Sequence, residues 1–361
     1  MKVKYIITAG LLLITPLEFM AQNAVSGTSA DSGLKVVKAA DPGDKNNNFY
    51  DNADTYALPG AGLVIEGEVE NPGEVDFSAF QKHTVIVKEA LLSADGNNRF
   101  IGAYRYGGYS LFDILQDRIL NKKNKAEFSP IIDIYVTIEN DKGEKVVLSW
   151  GEIFYANNLH KCILATEVTR IVPSKTKELW PLPSERRLVI STDLLGERNI
   201  SNPVKITIKT PVRGIPVDRD INPLYSPRIR ITRGSSELLQ TDRIPASMQT
   251  ETYNTVFYGR GRGIHSTTPF KGTKLSDLLG TVIKATHDNL RNTLVTLIAV
   301  DGYRTVFSLS EIMNRNDQEE VLLIQYGEGS DGGKFRLFPA GDFFSDRAIK
   351  AISEISLITA E

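Results

Sequence analysis

The 361-residue chain carries 42 basic and 44 acidic residues, a formal charge of −2, with 41% hydrophobic and 24% charged residues. That length accommodates two domains with a core each, and so balanced a charge excludes nucleic acid as the expected partner. A single cysteine, Cys162, excludes an intramolecular disulfide and any cysteine-based metal cluster.

At the N-terminus, Lys2 and Lys4 precede an apolar run from Tyr5 to Pro16, and Phe19-Met20-Ala21 closes it with a small residue. This pattern predicts a Sec-type signal peptide over 1–21, hence an exported protein in the periplasm, at the cell surface or outside the cell. The run is too short to span a bilayer, so no transmembrane segment is expected after cleavage. Residues 22–60, rich in Asn, Asp, Gly and Ser, read as a flexible leader.

A first unit over 61–210 opens with the strand-like run 63–69, a turn at Asn71-Pro72-Gly73 and a second strand at 84–87. A loop through Ser93 to Asn98 leads past Tyr104 and Tyr106 to Gly108-Tyr109-Ser110-Leu111-Phe112-Asp113-Ile114-Leu115. That motif returns 164 residues later as Gly272-Thr273-Lys274-Leu275-Ser276-Asp277-Leu278-Leu279. Each copy reads as a loop entering an amphipathic helix, with Leu111, Ile114, Leu115 and Ile119 on one stripe and Leu275, Leu278, Leu279 and Ile283 on the other. Two strands around Asn140 to Gly143 then lead into Ser149-Trp150-Gly151-Glu152, a capping box that starts a short helix. Cys162 sits in an apolar run and reads as a buried thiol.

Pro211, Pro216, Pro223 and Pro227 mark a stiff linker over 211–227. A second unit over 228–361 repeats the order. Strands at 294–300 and 304–307 flank Asp301-Gly302, and Ser308-Leu309-Ser310-Glu311 repeats the capping box. Arg336 to Pro339 answers Arg187 to Ile190, and Ile355 to Leu357 answers Val204 to Ile206. Strands and short helices in non-alternating order predict an α+β fold of two tandem mixed units.

The segments 67–80, 300–312 and 336–357, with the Gly-x-x-Leu-x-Asp helix start, resemble the molybdopterin-binding fold of the sulfite oxidase superfamily. The resemblance implies a cysteine thiolate ligand for molybdenum in the loop before that helix. Neither 88–107 nor 259–271 holds a cysteine, and the family's His-Gly-x-Pro-x-Arg segment is reduced here to Asp331-Gly332-Gly333-Lys334-Phe335-Arg336. A Sec-type leader adds export unfolded and empty. The expectation is a protein without cofactor, the alternative being a molybdopterin-dependent oxidoreductase with non-cysteine ligation.

Arg260, Arg262 and His265 in the glycine-bearing loop, with Lys271 and Arg336, form a candidate ligand or anion-binding set, because glycine lets backbone amides approach an anion and arginine offers a forked donor. Tyr104 and Tyr106 admit an aromatic contact to a surface glycan or peptide, or a place in the core. His83, His160, His265 and His287 show no metal-ligand spacing, so no metal site is expected. No catalytic set is assigned. The reading is a non-catalytic binding or scaffolding protein, its partner an unnamed protein or small ligand of the cell envelope.

Overall fold

The computed structural model describes residues 33–40, 50, 52–93, 95–211, 214–330 and 332–360, so the expected signal peptide lies outside the described residues, with much of the expected leader. Two described pieces of that leader are sheet: Thr55–Ala57 pairs with Cys162–Arg170, and Val36–Lys38 pairs with Thr55–Ala57. Strands of three residues are too short to carry an alternating pattern. Thr55 and Leu58 are nevertheless buried.

The α+β expectation is overturned, since the described residues are 41% strand and 11% helix, with a four-bladed, propeller-like arrangement of the sheets. The helical spacing read from the sequence is spent within one turn. Helices α1 (Leu111–Leu115), α2 (Trp150–Phe154) and α3 (Leu275–Leu279) have five residues each, α4 (His287–Asn292) six and α5 (Leu309–Met313) five. Leu111, Ile114 and Leu115 are buried, but Ile119, the next member of the stripe, is 56% exposed. Three apolar residues in one turn cannot distinguish a strand-to-strand corner from a long helix.

Ser32–Glu361 packs as one compact unit with two principal cores, one within 63–208 and one within 229–357. The strand pairing of the first half recurs in the second. Val64–Gly67 runs parallel to Pro203–Lys209, which is antiparallel to Tyr135–Asn140, itself paired with Lys145–Ser149. In the same order, Ile229–Arg233 runs parallel to Ile352–Thr359, then come Thr293–Ala299 and Arg304–Ser308. The second sheet of each half follows suit, Asn98–Ser110, Cys162–Arg170 and Arg187–Ile190 matching Phe270–Lys274, Val321–Gln325 and Phe335–Pro339. The repeated glycine has a packing reason: a Cβ on Gly108 would strike the Leu164 carbonyl of the neighbouring strand, and one on Gly272 would strike that of Leu323. Glycine lets two backbones close at that corner.

The halves meet along the hairpins Tyr135–Ser149 and Thr293–Ser308. Tyr135, Val147, Leu294 and Val306 form a shared apolar seam, and the Val306 amide donates to the Ile132 carbonyl at 3.0 Å. Beside the seam lies a buried charge cluster with local two-fold character. Arg198 donates to Asp193 through Nε and Nη2 at 2.9 and 2.8 Å and to Glu152 at 3.0 and 2.9 Å, all within the first half. Its Nη1 then crosses to Ser308 Oγ of the second half at 3.0 Å. Arg347 mirrors this: it holds Asp342 at 2.8 and 2.6 Å and Glu311 at 2.6 Å, and crosses back to Ser149 Oγ at 3.2 Å. Gly151 makes room, because a Cβ there would collide with the Arg347 guanidinium. The backbone repeats the exchange: Ala156 bridges to Asp342, and Arg315 bridges to Asp193.

Ser149 closes a full capping box with Glu152, as the sequence indicates. Ser308 caps α5 by accepting from the Glu311 amide, but the Glu311 carboxylate turns to Arg347 and to Ser149 Oγ instead. The second box has given its acid to the seam. Removing one side of a buried ion pair strands the other, at a cost of about 3–5 kcal/mol. Arg198→Ala and Arg347→Ala are therefore each expected to lower the denaturant midpoint by about that free energy, read from chemical unfolding curves.

Four carboxylates share these two guanidinium groups, so protonation of one relieves repulsion. Burial pushes the Asp342 carboxyl up to about 6, with Glu311 adding to the rise against the pull of Arg347. An acid raised on folding stabilises the fold below its unfolded value and loses that contribution as pH climbs through the folded one. The Asp342 share, roughly 3 kcal/mol for a rise of this size, is thus full below about pH 4 and gone above neutrality. Thermal melts of Asp342→Asn, a neutral mimic of the protonated acid, are expected to match the parent at low pH and to separate from it as pH rises through about 6, the parent losing the stability that the variant keeps; parallel profiles would refute the assignment.

Candidate functional site

The most exposed apolar surface near the seam is built on a small hairpin, Phe257–Gly259 paired with Gly263–Ser266. Its base is anchored by Phe257, which meets Phe270 edge-on at 5.2 Å and Phe338 at 6.0 Å. With the base fixed inward, alternate side chains face out. Val256, Tyr258 and Ile264 are exposed, and Phe343 joins them from the loop after Phe335–Pro339. Tyr258 and Phe343 lie 5.9 Å apart, and Phe343 meets Phe344 edge-on at 4.9 Å. Beside them a hollow of about 640 Å³ is lined by Asn157 of the first half and by Tyr253, Val256, Tyr258, Glu319 and Phe343 of the second.

The structure divides the sequence-derived set in two. Arg260, Arg262 and His265 share the hairpin, Arg262 at its exposed turn and His265 on its outer strand. Arg260 is engaged by Asp346, at 3.0 Å from Nε and 2.8 Å from Nη2, and its guanidinium lies 5.7 Å from the ring of Tyr155 in the first half. The loop arginine thus stitches the hairpin across the seam. Lys271 rims a separate groove of about 730 Å³ that Phe270 and Tyr326 also line, and Arg336 lies over Tyr326 at 4.3 Å.

Tyr104 and Tyr106 belong to the core, 1% and 0% exposed, which corrects any reading of them as surface contacts. Their hydroxyls are accounted for: Tyr104 Oη donates to the Pro181 carbonyl at 2.5 Å and Tyr106 Oη to Glu89 at 3.3 Å. Burial pushes both phenols above their ordinary value. Cys162 is buried at the start of Cys162–Arg170, where burial and then Glu152 push its thiol up. It lies outside 88–107 and 259–271, where the resemblance would place a thiolate ligand. The residues present therefore do not fit the molybdenum-holding role that the family resemblance implies.

Two histidines distant in sequence are brought together. The register that sets His83 opposite Gly108 places its ring over that of His160 and beside Asp113 of α1. Sequence spacing held no signal for this cluster, which depends on a strand pairing. His287, in α4, instead lies between Glu197 of the first half and Arg291, another tie across the halves.

Family models, curated proteins and solved structures were all compared with this chain, and none matches. No helix among the described residues is long and apolar enough to cross a membrane.

Truncating a buried aromatic costs about 3–5 kcal/mol. Tyr104→Ala and Tyr106→Ala are accordingly expected to destabilise the fold by that amount in urea unfolding, whereas a surface contact would leave the midpoint unchanged.

Proposed function

We propose that this protein is an exported, non-catalytic binding and scaffolding module that presents the hairpin surface at its seam to a protein partner. The observation that carries the reading is the coincidence of Val256, Tyr258, Ile264 and Phe343, all exposed, with Arg260 and Arg262 on one small projection. Exposed apolar patches flanked by polar residues mark interaction sites, and tyrosine and arginine dominate interface hot spots. Arg262 at the turn suits a partner segment with a carboxylate beside apolar side chains. The buried arginine exchange supports scaffolding, since a surface shared by two locked halves loses little freedom on binding.

The rival reading, a molybdopterin-dependent oxidoreductase with non-cysteine ligation, does not turn on Cys162 and is met by metal analysis. The glycan reading loses the two tyrosines on which it rested.

A photo-crosslinking residue at position 258, in the cells that make the protein, is expected to yield one discrete adduct. The same probe at Leu238, exposed on Ser236–Thr241, is the control. An adduct pattern no different from the Leu238 control would overturn the binding role. Stoichiometric molybdenum with pterin in protein purified from those cells would overturn the non-catalytic one.

A further inference from the structure

We propose that His83, Asp113 and His160 form a binding site for a single divalent transition-metal ion, with zinc the natural probe. His83 opens the strand His83–Leu92, Asp113 sits in the first turn of α1, and His160 lies just before Cys162–Arg170. One candidate ligand atom from each residue falls within 4.8 Å of the other two. His83 Nε2 is 2.8 Å from Asp113 Oδ2, and His160 Nδ1 is 3.8 Å from the same oxygen. Bonds of about 2.0–2.2 Å in tetrahedral geometry set ligand atoms roughly 3.4 Å apart. The two measured separations straddle that value.

The arrangement is hard to account for as a hydrogen-bonded cluster alone. Only His83 is within hydrogen-bonding reach of the shared carboxylate oxygen, while His160 contacts Ser110 Oγ at 3.2 Å, an oxygen already accepting from the Asp113 amide. The two imidazoles lie face to face, centroids 3.7 Å apart and planes 6° apart. Parallel rings point their lone pairs side by side, so one must tilt for both to meet an ion. His160, with 39% of its side chain exposed against 23% for His83 and 16% for Asp113, is the ring with room to do so.

The duplicated fold supplies a comparison within the chain. Glu251 faces Gly272 in the register that His83 keeps with Gly108. Asp277 repeats Asp113, and Glu319, paired with Arg315, stands where His160 stands after the capping box. The imidazoles thus belong to one half only, whereas the architectural residues occur in both. Two imidazoles and a carboxylate with an open side leave coordination positions for water or an exogenous ligand, the donor set of zinc and non-haem iron sites.

Chelator-stripped protein titrated with Zn²⁺ by calorimetry, with metal content measured after dialysis, is expected to bind one equivalent. His83→Ala and His160→Ala should each weaken that binding at least about tenfold. Asp277→Asn, at the exposed counterpart of Asp113 in the second half, should leave it unchanged. Affinity should fall as pH drops below about 6, where imidazoles protonate. Co²⁺ in place of zinc should give visible absorption bands that the double variant, His83→Ala with His160→Ala, lacks. Failure of the parent protein to bind a stoichiometric ion overturns the proposal, as does equal affinity in the double variant with an unchanged circular dichroism spectrum.

Discussion

The structure depends on a reciprocal exchange of buried arginines. Arg198 satisfies two carboxylates of its own half and reaches into the other half for a serine hydroxyl, and Arg347 returns the contact. Neither guanidinium can be desolvated safely until both halves are in place, because each would leave a donor facing nothing. Apolar contact between Val147 and Val306 alone would tolerate sliding along the seam. The crossing hydrogen bonds, Arg198 to Ser308 Oγ, Arg347 to Ser149 Oγ and Ser149 Oγ to Glu311, do not, since a displacement of an ångström or two breaks them together. The cluster therefore fixes the register of the two halves, and everything at the seam inherits that register.

Much of this was legible locally and little of it globally. The Gly108 and Gly272 motifs, the two serine caps and the paired strands around Asn140 and Asp301 are short-range features, and the chain shows them where the sequence places them. The fold class was misread because each helix signal spans only one turn, so a corner between strands looked like the start of a helix. The arginines of the seam carried no local mark at all. Arg198 and Arg347 close short 3-10 turns at Gly196–Arg198 and Ser345–Arg347, and only tertiary closure reveals that they are buried. For the same reason, four scattered histidines could not announce that two of them stack.

Duplication gives a way to separate scaffold from function. Parts needed to close the fold should appear in both copies, because both solve the same packing problem. That holds for the corner glycines, the serine caps, Asp193 with Asp342, and Arg198 with Arg347. Parts free to differ are where one copy has taken up other chemistry. Three such departures stand out: the imidazole pair in the first half, the Phe257–Ser266 hairpin in the second, and α4, which sets His287 and Arg291 against Glu197 and Glu144 of the first half.

Two of these departures have a structural use that their surroundings explain. Helix α4 adds contacts across the halves through His287 and Arg291, and Arg260 of the hairpin ties itself to Asp346 beside Tyr155. The exposed apolar tip of the hairpin is not explained in this way, since apolar surface left in water contributes nothing to closing the seam. Nor is the imidazole pair, since a single histidine on Asp113 would serve a structural hydrogen bond, and the second ring adds a stack at 3.7 Å and a contact to a Ser110 hydroxyl that already caps α1. Residues that the fold does not require, held by a scaffold that is unusually well fixed, are where binding chemistry has to be sought in this molecule.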